Sequence, residues 1–159
     1  MSEKIKIGGI LIKENLCMMQ ITGVENKPGS AAKVFQIFSG KRASLEFISE
    51  SRNPDGHGSI TVCISANFCP IMGKIEAKIQ EYAHPEKIFR HPQVVMMTIY
   101  GPHFGDVPSI ASNLCQALAK CDVNIHGIST AINSITCVID SKDLNSANDA
   151  MGTVFKTPD

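Results

Sequence analysis

Shifted by 80 residues, the sequence falls on itself: Pro28 meets Pro108, Ser44 meets Asn124, Ile48 meets Ile128 and Ser49 meets Ser129. The chain is therefore two copies of one unit, and each copy must close its own core. The offset drifts to 78 between Gly23 and Gly101 and to 75 between Ile60 and Ile135, which places the length changes in loops.

In the first copy, residues 17–22 read as a strand, and 28–40 as a helix with Ala31, Val34, Phe35 and Phe38 on one face and Gly40 as its stop. SLEFISE (44–50) and ITVCIS (60–65) alternate as strands around the turn RNPDGHG. A second helix over 70–82 carries Ile71, Ile75 and Ile79, and EKIFRH, set between two His-Pro pairs, supplies a closing strand. The second copy runs through VVMMTIY (94–100), a helix over 108–120 with Ile110, Leu114, Ala117 and Leu118, and the strands VNIHGIS and SITCVID. Its last helix is lined by Leu144, Ala147, Met151, Val154 and Phe155. A closing strand is then missing, and KIGGILI (6–12) is free to fill that place.

The order βαββαβ, twice, predicts an α+β chain, an α/β sandwich of two ferredoxin-like units in tandem. The boundaries expected are an N-terminal strand segment over 1–15, a first unit over 16–91 and a second over 92–159. This architecture alone fixes no function.

Lysine plus arginine equal aspartate plus glutamate at 15 each, so no net field gathers nucleic acid or an acidic membrane surface. No apolar run is long enough to span a bilayer or act as a signal peptide, and a cytoplasmic protein is expected. The six cysteines show no metal-ligand spacing; Cys63, Cys115 and Cys137 fall in apolar patterns and read as reduced core thiols. Neither metal nor cofactor is expected.

The stretch ENKPGSAA (25–32) joins the first strand to the first helix. Proline suits a first helical turn, so Pro28 is expected to start the helix, with the Gly29 and Ser30 amides left free at its positive end. Read alone, the dipeptide is a helix start; read as a site, it fits one small anion such as an amino-acid carboxylate. A triphosphate would need the longer glycine loop and lysine of a P-loop.

That strand-loop-Pro-Gly-helix segment, followed by SLEFISES, resembles the ACT domain, an amino-acid-sensing module of biosynthetic enzymes. NIHGISTAINSITCVIDSKDLNSANDAMGTVF (124–155) is similar to the last third of the regulatory region of aspartate kinase, and the likeness runs from about Gly9 to Phe155. The resemblance implies a non-catalytic regulatory module, controlling an enzyme such as aspartate kinase. A free amino acid, lysine, threonine or similar, would bind between ACT units. It also implies a homodimer, a kinase domain attached or on a separate chain, and an N-terminal strand that completes a neighbouring unit.

Carried over by position, Asn26, Lys27, Pro28, Gly29, Ser30 and Ala31 receive the effector's carboxylate and α-carbon. Glu46, Ile48 and Glu50 face its amino group and side chain, the acids favouring a cationic effector such as lysine. The second unit departs from the pattern, with Ser109 after proline and Ala131 to Ser134 where the kinases commonly have Ser-Glu-x-Arg. Its Asn124, Ile125 and His126 are left to wall the first unit's pocket, although His126 also reads as a hydrogen-bonded structural histidine.

Catalysis finds little support: Asp55 and His57 share a turn, His84 and His91 precede prolines, His103 sits in a loop, and Cys17 and Cys69 are the least implausible nucleophiles. The remaining alternative is a ligand-free pair that only dimerises or docks to another protein.

Overall fold

Two long strands organise the chain, which the computed structural model describes over residues 3–102 and 104–158; His103 lies outside the described residues. After the short β1 (Ile5–Lys6), β2 runs through Gly9–Glu25, followed by α1 (Ser30–Gly40), β3 (Phe47–Arg52), β4 (His57–Ser65) and α2 (Met72–Ala83). The second long strand, β5 (Lys87–Tyr100), leads to α3 (Ile110–Lys120), β6 (Ile125–Ala131), β7 (Ser134–Asp140), α4 (Leu144–Val154) and β8 (Phe155–Lys156).

The chain divides into two compact units, one of Asn15–Gln93 and one of the residues up to Glu14 together with those from Val94 onward. Both β2 and β5 contribute residues to each unit. In the first the strands lie in the order β3-β4-β2-β5, in the second β2-β5-β7-β6. The pairings of β4 with β2 and β3, and of β7 with β5 and β6, are antiparallel. Two helices per unit make both units ferredoxin-like.

In the sequence, residues 86–91 and 94–100 read as separate strands broken at Pro92, whereas β5 passes through that proline. Proline removes one amide donor but keeps φ in the extended range, so it costs a ladder bond without ending the strand.

Each core repeats the offsets read from sequence. Cys17, Met19 and Ile21 of β2, Val34 and Phe38 of α1, and Ile60, Val62 and Ile64 of β4 are buried together in the first unit. Val95, Met97 and Ile99 of β5, Leu114 and Leu118 of α3, and Ile135, Cys137 and Ile139 of β7 occupy the matching positions in the second. Ala147, Ala150 and Met151 bury α4, but Phe155, expected on that helix, leaves it for β8, where it pairs with Ile5 of β1.

The helix ends repeat as well. Lys41, Arg42 and Ala43 donate to the carbonyls of Phe38, Ser39 and Phe38, and Cys121, Asp122 and Val123 donate to those of Leu118, Ala119 and Leu118. Arg42 and Asp122 take φ of 58° and 57°. The stop of α1 is this left-handed residue, not Gly40, which is still helical. At the N-terminus the Gly8 amide donates to Tyr100 O at 2.7 Å, and a Cβ on Gly9 would stand 2.6 Å from Tyr100 Oη. The glycine pair of KIGGILI lets the backbone lie against that ring.

Among the cysteines, Cys63 and Cys137 are buried and free, Cys115 is half-buried and free, and Cys121 is exposed. Cys17 and Cys69 depart from the expectation of single thiols: they form a disulfide. Their separation of 52 residues hides the pairing in the sequence. The fold creates it, because Leu16 pairs with Ser65 and the 3-10 turn Ala66–Ile71 that follows carries Cys69 back over β2.

Candidate functional site

The link between β2 and α1 is a tight turn rather than a proline-initiated helix. Ser30 N–H donates to Lys27 O at 3.1 Å, Gly29 takes φ 92°, and the first helical residue is Ser30. Pro28 therefore precedes the helix, and the Ser30 amide, expected to be free, is spent on closing the turn. The cause is the left-handed Gly29, which brings residue 30 back under the carbonyl of residue 27. A Cβ added to Gly29 would meet nothing within 4 Å, so only conformation demands glycine there. The second unit differs: Ser109 has φ −89°, a right-handed residue before α3.

Beside this turn lies a cavity of about 640 Å³, enclosed by the end of β2, the first turn of α1, the β3–β4 turn and the end of α2. Its charged groups are Lys27, Lys33, Glu25 and Asp55, together with the imidazoles of His57 and His84. Lys27 Nζ lies 2.8 Å from Glu25 Oε2. The Lys27 hydrogen bond, then its charge, holds the Glu25 carboxyl below its ordinary value. The β3–β4 turn is closed by Asn53 N–H to His57 O at 2.7 Å and by His57 N–H to Asp55 Oδ1 at 2.9 Å. His57 Nδ1 stands 3.5 Å from the same carboxylate oxygen, too far for a hydrogen bond.

Two helix ends meet the cavity with opposite polarity. The first turn of α1 presents the positive end of its dipole, and Tyr82, Ala83 and His84 present the negative end of α2. With neutral imidazoles the side-chain charges balance. A site with separated poles and no net charge suits a zwitterion better than a polyanion.

Of the residues singled out in sequence, Lys27 and Ser30 line the cavity. Asn26, Pro28 and Gly29 lie in the loop before α1, and Ala31 is the second residue of that helix. Ile48 and Glu50 lie on β3, the outer strand of its unit, with Ile48 46% exposed; Glu46 precedes that strand and its amide donates to Cys63 O at 2.8 Å. None of these three lines the cavity. Asn124, Ile125 and His126 belong to the other unit, where Ile125 packs on the core and His126 Nε2 meets Asp140 Oδ1 at 3.0 Å. In the sequence Asp55, His57 and His84 stand out only as unsupported catalytic residues, and Lys33 and Tyr82 not at all. Lys33 carried a readable signal, one turn beyond Ser30 on the same helix; the others arrive only through folding.

Comparison with known proteins bears on the fold. Residues 97–155 match the ACT domain family. The aspartate kinase of Pseudomonas fluorescens is 25% identical over 150 residues, which are 94% of this chain and 36% of that protein. The chain thus spans little more than a third of that curated relative. Among solved structures, the ligand-free regulatory subunit of aspartate kinase from Thermus thermophilus superposes with a TM-score of 0.83 at 19% identity, covering 94% of this chain and 99% of that one. A structure of aspartokinase alpha and beta subunits gives 0.83 at 19% identity, covering 93% and 97%. The chain is a tandem of ferredoxin-like units whose residues 97–155 match the ACT domain family, and it resembles, along nearly its whole length, the regulatory region of aspartate kinase.

Proposed function

We propose that this chain is a non-catalytic regulatory module that binds a free amino acid beside the start of α1 and so controls an aspartate kinase, attached or on a partner chain. The observation that carries this reading is the charge-balanced cavity at the one helix start that keeps Pro-Gly, in a chain with the fold of aspartate kinase regulatory subunits. The effector's carboxylate takes the α1 end, near Lys33. Its ammonium is taken by the acidic groups of the lining, Glu25 and Asp55.

The loop 26–31 has two candidate walls. One is the cavity side, complete within a single unit. The other is β3 with Glu46, Ile48 and Glu50, which leaves a side open for a second copy or for Asn124, Ile125 and His126, and so goes with a homodimer. The units proposed are 16–91 and 92–159, with the 1–15 segment as a strand completing the second, and the setting is the cytoplasm.

Isothermal titration calorimetry with lysine, threonine and methionine, then the other amino acids, tests the reading. Binding of one of them, lost in Gly29→Asp, supports the effector module. Loss in Lys33→Gln but not in Glu50→Gln places the ligand in the cavity, and the reverse places it against β3. Absence of heat with every amino acid, from folded protein, removes the sensor reading. It would favour a docking protein, the alternative to which the departures at Ser109 and 131–134 point.

A further inference from the structure

We infer that Cys17 and Cys69 form a reversible redox site, at which a low-molecular-weight disulfide such as oxidised glutathione closes the bond and the matching thiol opens it. The Cα atoms stand 6.4 Å apart, within the span a disulfide tolerates without backbone movement. Their accessibilities differ in the way exchange chemistry requires. Cys17 is fully buried on β2, whereas Cys69 is half-buried in the 3-10 turn that leads into α2.

The order of events follows from that difference. The Cys69 thiolate attacks one sulfur of the oxidised glutathione and releases one glutathione thiolate, leaving a mixed disulfide on Cys69. The Cys17 thiolate then attacks Cys69 Sγ and releases the second glutathione. Two protein thiols are oxidised to one disulfide, one glutathione disulfide is reduced to two thiols, and both protons leave with the products.

The reduced state is also accommodated. Ser65 O lies 3.9 Å from Cys17 Sγ, and Pro92 O lies 3.9 Å from Cys69 Sγ, so each thiol has a carbonyl to which its S–H can donate. Burial pushes the Cys63 and Cys137 thiols up to about 12. Closing the bond ties the entry of α2 to β2 and cross-links two points 52 residues apart. A loop of that length takes substantial freedom from the unfolded chain.

The test equilibrates the full chain at a series of reduced-to-oxidised glutathione ratios, quenches with N-ethylmaleimide in denaturant, and weighs it. Of the 6 cysteines, all should be labelled in the reduced form and the 4 free ones in the oxidised form. A linked Cys17–Cys69 peptide should appear in the digest. Cys17→Ser should trap glutathione on Cys69, while Cys69→Ser should trap none on Cys17. The oxidised protein should melt roughly 5–10 °C above the reduced one, a gap absent in either variant. Six labels at every ratio, a link between other cysteines, or equal melting of the two forms would overturn the inference.

Discussion

At the scale of single residues, Gly29 shows how backbone and site depend on one another. Its φ of 92° is available to glycine and strained for other residues, yet the space around it is open. Gly29→Ala should therefore cost about 1–2 kcal/mol through conformation alone, and Gly29→Asn less, because asparagine tolerates left-handed backbone. Ser109→Ala, at the right-handed counterpart, should stay within about 0.5 kcal/mol of the parent. Urea denaturation of the three variants measures this, and equal losses at 29 and 109 would contradict the difference between the two turns.

Thiols give a second residue-scale expectation. With pKa pushed up to about 12 by burial, Cys63 and Cys137 carry almost no thiolate at pH 8. Iodoacetamide should leave both unmodified in folded protein and alkylate both in denaturant, read by peptide mass. The Pro-Gly pair was legible as a turn before a helix. What the sequence could not give was which amide that turn consumes, since this depends on the sign of one dihedral angle.

At the scale of elements, periodicity carried most of the information. Ile110, Leu114, Ala117 and Leu118 were placed on one face of a helix by spacing, and those four are its buried residues. Element ends were less legible, because they follow from capping bonds and not from the apolar pattern. The helix stops at Arg42 and Asp122 are examples, with two charged residues in left-handed backbone where glycine is the usual occupant. Arg42→Gly and Asp122→Gly should each stabilise the chain by about 0.5–1 kcal/mol, seen as a raised denaturation midpoint with unchanged slope. A loss of stability at both positions would mean that these side chains contribute more than their backbone strain costs.

At the scale of the whole molecule, the repeat determined the architecture, because matching offsets force two copies of one topology. The cavity was not legible in the same way. Its walls come from residues 23–33, 55–57 and 82–84, and only the β3–β4 turn and the end of α2 bring the histidines to the helix start. A regulatory module must convert such local binding into a change felt elsewhere, and linkage sets what can be observed. An effector that binds only the folded chain raises its unfolding free energy by about 2.7 kcal/mol at a hundred times its Kd. The melting temperature should climb with effector concentration in the parent and stay flat in Gly29→Asp. The same coupling is reciprocal: if the effector shifts a kinase between two states, the kinase must change the module's affinity for the effector by the same factor. Titrating the effector into the module alone and into its complex with a catalytic chain measures that factor. A ratio of one would leave a binding module that regulates nothing through this contact, because a ligand with equal affinity for both states cannot shift their balance.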